Sequence, residues 1–277
     1  MKDRTMTFPD CWEEVLPSEF ERLLYLHHQM ILREDIALDD VLINWTAYVL
    51  RSRAGRKYTS EQFNILVLEL SLHLDWLYRT VEVDGQKMIQ LAYATTSNLL
   101  PVWKSFVGPQ SHGADLTFGE FRHAVTAFNR YNQDHQAQDL LALCAILYRP
   151  RVKAMGKRRR QPFDADHISD NMHALRKMPD YMQWGIYVIF AYFCEYLQTG
   201  EFIIDGSTVS FAPLFTSDGS SRPSQSIGMN AIRFTVAESG VFGSAEQLDR
   251  TPLLQVMLKV LDDKQRAEDL LKRNKTQ

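Results

Sequence analysis

The most hydrophobic run of the chain, residues 184–197, sets the strongest limit on the fold. It reads WGIYVIFAYFCEYL and contains six aromatic residues. Glu195 interrupts the run, which is also shorter than the roughly 20 apolar residues that a helix needs to cross a bilayer. A helix that is apolar all round is stable in water only when other elements cover it. The run therefore predicts a core helix within a body of several helices, or a helix at a subunit interface.

Composition places the chain among ordinary soluble globular proteins. Of its 277 residues 45% are apolar and 23% are charged, which excludes a disordered chain, a collagen-like fibre and a disulfide-stapled miniprotein. The length corresponds to one large domain or two modest ones. With 31 Lys and Arg against 34 Asp and Glu, the chain is not a globally basic nucleic-acid coat, although local basic patches remain compatible with the balance.

Helix-start patterns recur along the chain and decide the predicted fold class. Three capping boxes occur, Ser18–Glu21, Thr59–Gln62 and Thr117–Glu120, and the first and third precede stretches with helical spacing of apolar residues. The run after Thr59 is ambiguous, because its leucines from Leu68 to Leu74 alternate as in a strand, whereas its length and its cap favour a helix. Strands and helices do not alternate regularly, so a doubly wound α/β fold is disfavoured. The sequence predicts a mainly α fold with minor β content, in which a bundle-like body of several helices carries one or two short β-hairpins.

Turn residues and composition shifts indicate how the chain is organised. Asp84-Gly85 suits a type I′ turn and predicts a hairpin over 80–93, and a second hairpin is expected after Gly200. We predict an N-terminal helical region, 1–115, that carries the first hairpin. A C-terminal helical region, 116–277, is predicted to contain a basic loop at 149–162 and a flexible loop at 200–226. A further helix is predicted over 229–241.

No pattern in the sequence identifies a reaction. The chain lacks GxxxxGK[ST], GxGxxG and GxSxG, and its three cysteines are widely spaced without a CxxC pair. Cys144 and Cys194 lie in apolar runs and are expected to be buried thiols in a reducing compartment. Asp164, Asp166 and His167 cluster at a predicted helix start, where they either cap the helix or form an acid–base or metal site. We expect no catalytic residue, no metal and no cofactor, and therefore a protein that is not an enzyme.

The segment from Arg149 to Arg160 is the clearest electrostatic feature. It contains seven Lys and Arg and no acidic residue. It could be a solvated loop, contact an acidic protein or hold the phosphates of a nucleic acid. No aromatic residue lies inside the segment, which argues against stacking on single-stranded bases. The candidate contacts are Arg151, Lys153, Lys157, Arg158, Arg159 and Arg160.

Three short motifs carry a resemblance to a known group of proteins. They are Pro9, Trp12 and Glu14 near the start, the helix start Thr117-x-Gly119-Glu120-Phe121, and the helix end Leu147–Pro150. Together with the ending VFGSAEQLDRTPLLQVMLKVLDDKQRAEDLL, they resemble the helical tail-assembly chaperone-like proteins of tailed phages and prophages. The motifs are scattered over most of the chain, and none of them is catalytic.

The resemblance implies a non-enzymatic partner of other phage proteins. Such a protein covers apolar helices of a tape-measure protein, or sits on tail components such as the tail-tube protein, until assembly. It implies the cytoplasm of the host bacterium, with a possible place in the virion, and no membrane. Candidate groove residues lie on the two most apolar helices, although each could equally belong to the core: Trp184, Tyr187, Leu254, Met257 and Leu261. The alternative function is a helical protein that binds nucleic acid through residues 149–160.

Overall fold

A computed structural model describes residues 7–53, 58–83, 85–154, 157–215 and 241–275. Helices dominate and the strands are short, so the predicted mainly α fold with minor β content is confirmed. The chain divides into two compact units, Met1–Leu100 with Pro179–Ile189 and Pro101–Met178 with Phe190–Gln277. The boundary predicted after residue 115 falls inside the second unit. Among the residues in these described ranges, no helix has the length and apolar character to cross a membrane.

The first unit combines three helices, one hairpin and the beginning of a long helix, α7. Its core is built from large side chains that are almost completely buried, including Phe20, Leu23, Trp45 and Leu77. The β1–β2 ladder runs antiparallel from Tyr78 opposite Leu91 to Val83 opposite Gln86. The elements are α1 (Pro17–Leu32), α2 (Leu38–Arg53), α3 (Ser60–Ser71), β1 (Tyr78–Val83), β2 (Gln86–Leu91) and the start of α7 (Asp180–Thr199).

The hairpin predicted over 80–93 is confirmed. Gly85 adopts φ +76°, the left-handed conformation that this turn requires, whereas Asp84 lies outside the described residues. The capping box predicted at Thr59 is also confirmed, because the Thr59 hydroxyl accepts a hydrogen bond from the Gln62 backbone N–H at 3.3 Å. The start predicted at Ser18 is wrong. Helix α1 begins at Pro17, and the Glu19 carboxylate accepts a hydrogen bond from the Leu16 N–H at 2.9 Å.

The second unit is built around a four-stranded antiparallel sheet in the order β3-β4-β5-β6, with a separate β7–β8 hairpin. The sheet adds more β structure than the one or two hairpins that were predicted. The strands are β3 (Val102–Trp103), β4 (Phe106–Val107), β5 (Arg149–Ala154), β6 (Lys157–Arg160), β7 (Glu201–Ile204) and β8 (Ser207–Ser210). The helices are α4 (Phe118–Asp134), α5 (Ala137–Leu147), α6 (Ile168–Leu175), the remainder of α7, α8 (Ala245–Arg250) and α9 (Leu253–Lys275).

The basic loop predicted at 149–162 is wrong for most of its length, because strands β5 and β6 occupy it. Strand β4 pairs with β5, placing Phe106 opposite Pro150, and the two ends of the β5–β6 hairpin are held by buried ion pairs described below. Of the flexible loop predicted at 200–226, the first part forms the expected β7–β8 hairpin. Residues 216–226 lie outside the described residues, and so does the helix predicted over 229–241 except for its last residue.

Candidate functional site

A buried ion cluster connects the start of α4 to both strands of the β5–β6 hairpin. The Glu120 side chain is fully buried. Its Oε1 lies 2.8 Å from Arg149 Nη1 and 2.5 Å from Arg160 Nη1. Its Oε2 accepts hydrogen bonds from the Nη2 atoms of both arginines at 3.2 Å. We call Glu120, Arg149 and Arg160 the Glu120 clamp.

The predicted capping box at Thr117 forms only in part, and the clamp explains why. The Thr117 hydroxyl accepts a hydrogen bond from the Glu120 N–H at 3.3 Å, as a cap requires. The Glu120 carboxylate instead binds the two guanidinium groups. Burial lowers the pKa of Arg149, and the neighbouring Glu120 carboxylate opposes that shift by favouring the charged form. The helix-start pattern in the sequence draws attention to Glu120. It does not reveal that Glu120 pairs with two arginines, which follow it by 29 and 40 positions.

Backbone carbonyls and one more carboxylate complete the surroundings of the two arginines. Arg149 donates from Nε to the Gln161 carbonyl at 2.7 Å and from Nη1 to the Ile146 carbonyl at 2.6 Å. Arg160 donates from Nη1 to the Leu147 carbonyl at 2.7 Å. Asp115 Oδ1 lies 3.1 Å from Arg160 Nη2. Two carboxylates therefore balance two guanidinium groups, and the end of α5 is tied to both ends of the hairpin.

Two of the three motifs behind the family resemblance meet at this clamp. Glu120 belongs to the helix-start motif and Arg149 to the helix-end motif. Gly119 permits a close approach of α4 to α8, because a Cβ atom there would lie 2.9 Å from the Asp249 carbonyl oxygen. Phe121 packs within the second unit, with its ring centroid 5.9 Å from that of Phe190. Packing and ion pairing in the interior therefore account for Gly119, Glu120, Phe121 and Arg149, whereas Glu14 of the first motif is exposed.

An open cleft of about 940 Å³ lies beside the clamp. Its charged lining is balanced between arginine and aspartate and also includes His167. The His167 Nδ1 lies 3.3 Å from Asp164 Oδ2, but the two side chains are 52% and 53% exposed. The Asp164 side chain accepts a hydrogen bond from the Asp166 N–H at 3.0 Å at the start of a 3₁₀ turn. This geometry favours the capping interpretation over an acid–base site.

The residues that the structure describes give no further support to a metal site or to a reactive cysteine. No group of three or more His, Cys, Asp or Glu side chains there could hold a metal ion. Cys144 is buried, as expected, and burial raises its pKa. Cys194 is only half-buried, and burial raises its pKa to about 12. Both thiols are therefore protonated at neutral pH, which makes them poor nucleophiles.

The structure describes the side chains of two of the six basic candidates. Arg160 is buried in the Glu120 clamp and is not available to an external partner. Arg151 is exposed on β5. The remaining four, Lys153, Lys157, Arg158 and Arg159, lie on β5 and β6, where the backbone register pairs Lys153 with Arg158.

The predicted groove residues are divided between the two units. Trp184 and Tyr187 belong to the first unit and are half-buried, and Trp184 stacks on His27 with ring centroids 4.8 Å apart. In the second unit Leu254 is half-buried, whereas Met257 and Leu261 are buried in the core. The burial of Met257 and Leu261 follows from the position of α9 against the rest of its unit and leaves them little surface for a partner.

Helix α3 carries an exposed apolar stripe that the sequence reasoning missed. Ile65, Leu68 and the C-cap residue Leu72 are 51%, 54% and 81% exposed, and their spacing of three and four residues places them along one side of the helix and its end. Val67 and Ser71 are buried on another side. The i, i+3, i+7 spacing is visible in the sequence, but the strand-like alternation of leucines after Val67 obscured it. We call Ile65, Leu68 and Leu72 the α3 face.

Comparisons of this chain with known protein families, with curated proteins and with solved structures found no match.

Proposed function

We propose that the protein is a non-enzymatic assembly protein of a tailed phage and holds an amphipathic helix of another tail protein on its α3 face. The observation that carries the proposal is the exposure of Ile65, Leu68 and Leu72 on the outer side of a helix whose inner side is already packed. The outward face of a surface helix is normally polar. Recognition of one helix by the apolar stripe of another uses this spacing of contact residues.

Burial of the α3 face against a partner contributes to the binding free energy, from which the cost of association must be subtracted. Complete burial of one leucine or isoleucine side chain contributes about 1.5–3 kcal/mol. Because the three side chains already have part of their surface covered, we expect about 3–5 kcal/mol from the stripe. Contacts of this size suit a chaperone, which must hold its client and later release it.

The charges beside the stripe indicate the kind of helix that fits. Glu61 and Glu69 lie on the exposed side of α3, and the helix has no Lys or Arg. A client helix with Lys or Arg beside its own apolar stripe would gain charge complementarity, whereas one with flanking acids would be repelled. The client expected from the family resemblance is a tape-measure or tail-tube protein, bound in the cytoplasm of the host bacterium.

Co-expression tests the proposal directly. The chain is produced together with the tape-measure and tail-tube proteins that the proposal expects to be encoded beside it, and size-exclusion chromatography measures whether a complex forms. We expect the wild-type chain to elute with one of them and the variant Ile65→Gln, Leu68→Gln, Leu72→Gln to elute alone. A matched control replaces two exposed leucines of α9, Leu270→Gln and Leu271→Gln, and should keep the complex.

Two results would contradict the proposal. One is elution of the wild-type chain separately from every neighbouring tail protein. The other is a complex that survives the three α3 substitutions, because its interface would then lie elsewhere. Circular dichroism of the variant checks that the helices persist, which we expect because all three side chains are exposed.

A further inference from the structure

The β1–β2 hairpin of the first unit is a ribbon that the rest of the described chain leaves largely uncovered. The first five residues of β2, Gln86–Gln90, are all exposed, and only Leu91 at its base is buried. Met88 and Ile89 point to opposite faces of the ribbon and are 52% and 47% exposed. A hairpin of two strands is marginally stable in water, whereas further strands with apolar contacts stabilise it. The ribbon therefore has the character of an element that pairs with another strand.

The outer edge of β2 offers backbone groups for such pairing. The Ala92 N–H donates to the Leu77 carbonyl at 2.8 Å, which marks these two residues as a hydrogen-bonded pair of the ladder. Hydrogen-bonded and non-hydrogen-bonded pairs alternate along an antiparallel ladder, so Thr80 and Ile89 form a pair of the second kind. The N–H and C=O of Ile89, and by the same alternation those of Lys87, point away from β1. They make no hydrogen bond with any residue that the structure describes.

A second copy of β2 is complementary to this edge. When a twofold axis passes beside Met88, the two Met88 residues lie opposite each other and Lys87 lies opposite Ile89 of the second copy. The outward groups of Lys87 and Ile89 then form about four backbone hydrogen bonds between the copies. No like charges are opposed, and the pairing uses only the exposed stretch Gln86–Gln90. An axis at Ile89 would instead bring Lys87 of the second copy against Leu91, which is buried in the core.

The side chains favour this pairing over one that uses the edge of β1. Val81 lies opposite Met88 in the hairpin, so a sheet of four strands carries an unbroken apolar row of two valines and two methionines across one face. Apolar cross-strand neighbours of this kind stabilise a sheet. The outward positions of β1 are the exposed and polar Thr80 and Glu82, which offer no such row.

We propose that the protein forms a symmetric homodimer through antiparallel pairing of its two β2 strands into a four-stranded sheet. Twofold pairing of one edge with itself closes after two copies, whereas pairing of β1 with β2 of the next copy would continue into a fibre. The contact between two such short strands is smaller than the roughly 1,600 Å² of a standard stable interface. The dimer should therefore be reversible, with a Kd in the micromolar range.

Analytical ultracentrifugation between about 1 and 200 μM tests the proposal, because the average mass should rise from that of the monomer toward twice that value. Ile89→Pro removes an outward N–H in each copy and should raise the Kd about 30-fold or more. The control Thr80→Pro makes the same change at the outer edge of β1 and should leave the Kd within about threefold. Both prolines replace an N–H that the hairpin does not use, so both variants should keep the hairpin. Met88→Lys leaves the backbone intact, opposes two cations across the axis and should also abolish the dimer.

Three results would overturn the proposal: a monomer at every concentration up to about 200 μM, equal weakening by the two proline variants, or a dimer that survives Met88→Lys. A fourth is a monomeric Ile65→Gln, Leu68→Gln, Leu72→Gln variant, because the copies would then meet through the α3 face. The expected result is that this variant dimerises like the wild type while losing the tail-protein complex. Dimerisation and client binding are thus separate observations, so one proposal can fail without the other.

Discussion

His27 should make the stability of the protein depend on pH in a way that can be calculated. The side chain is buried in the first unit, stacked on Trp184, with the Tyr78 ring centroid 5.6 Å away. Its Nδ1 has no hydrogen-bond partner among the residues that the structure describes. Burial, with a smaller contribution from His28, lowers the pKa of His27 from 6.5 to about 4. The folded protein therefore holds this imidazole in its neutral form at neutral pH.

The direction of the effect follows from proton binding. Between pH 6.5 and about 4, the unfolded chain binds a proton at His27 and the folded chain does not, so acid favours unfolding. The stabilisation is fully present above pH 6.5 and is lost as the pH falls. One pKa unit corresponds to about 1.36 kcal/mol, so the complete loss amounts to about 3 kcal/mol. At pH 5 we expect about 2 kcal/mol of it to be gone.

Urea unfolding followed by tryptophan fluorescence at pH 7 and pH 5 measures this loss. The variant His27→Phe keeps an aromatic ring against Trp184 and removes the titrating group. We expect it to be about as stable as the wild type at pH 7, since the change nearly conserves volume. Between pH 7 and pH 5 it should lose about 2 kcal/mol less free energy of unfolding than the wild type. The same substitution at the exposed His73 should leave the wild-type pH dependence in place.

Equal losses in the wild type and His27→Phe between the two pH values would refute the reasoning. They would mean that His27 titrates alike in the folded and unfolded chains, and hence that it is not buried in its neutral form. The quantity compared is the change in unfolding free energy between pH 7 and pH 5 in the wild type and in His27→Phe. Carboxylates that titrate over the same interval and lie far from His27 contribute equally to both proteins, so their contribution cancels in the difference.

Two further predictions concern the Glu120 clamp and its surroundings. Glu120→Gln leaves two buried guanidinium groups facing a neutral amide, so urea unfolding should show a loss of about 3–5 kcal/mol, whereas the exposed Glu246→Gln should change stability by less than about 0.5 kcal/mol. At a site without close neighbours, Gly119→Ala would stabilise the helix through its higher helix propensity. Here the added Cβ would lie 2.9 Å from the Asp249 carbonyl oxygen, so we expect thermal unfolding to show a net loss of stability of about 1–3 kcal/mol. A gain in stability would show that α4 and α8 do not approach this closely.

Local patterns in the sequence predicted the elements whose determinants are local. The cap at Thr59 and the turn at Gly85 depend on residues within a few positions, and both were predicted correctly. The Ser18 cap failed because Pro17 already supplies a favourable first helical residue and Glu19 reaches back to the Leu16 N–H. Two adjacent positions are each suitable for starting the helix, and the sequence alone does not show which of them is used.

The strands of the basic segment could not be predicted because their determinants are distant in the chain. A run of cations next to glycine and proline is typical of a solvated loop. What makes it a hairpin is the pairing of β4 with β5 and the neutralisation of Arg149 and Arg160 by Glu120. The α3 face was not predicted for a different reason. Spacing shows that Ile65, Leu68 and Leu72 share a side of the helix, but only the packed structure shows that this side is uncovered.

The positions of the motif residues limit what the family resemblance can contribute. Trp12, Glu120, Phe121 and Arg149 are all buried, and they hold elements of their own unit together. These interior motif residues describe a way of packing a chain, and unrelated binding surfaces can be carried on the same interior. A partner would instead contact exposed residues, such as those of the α3 face. Experiments that replace these surface residues and leave the clamp intact therefore separate function from folding.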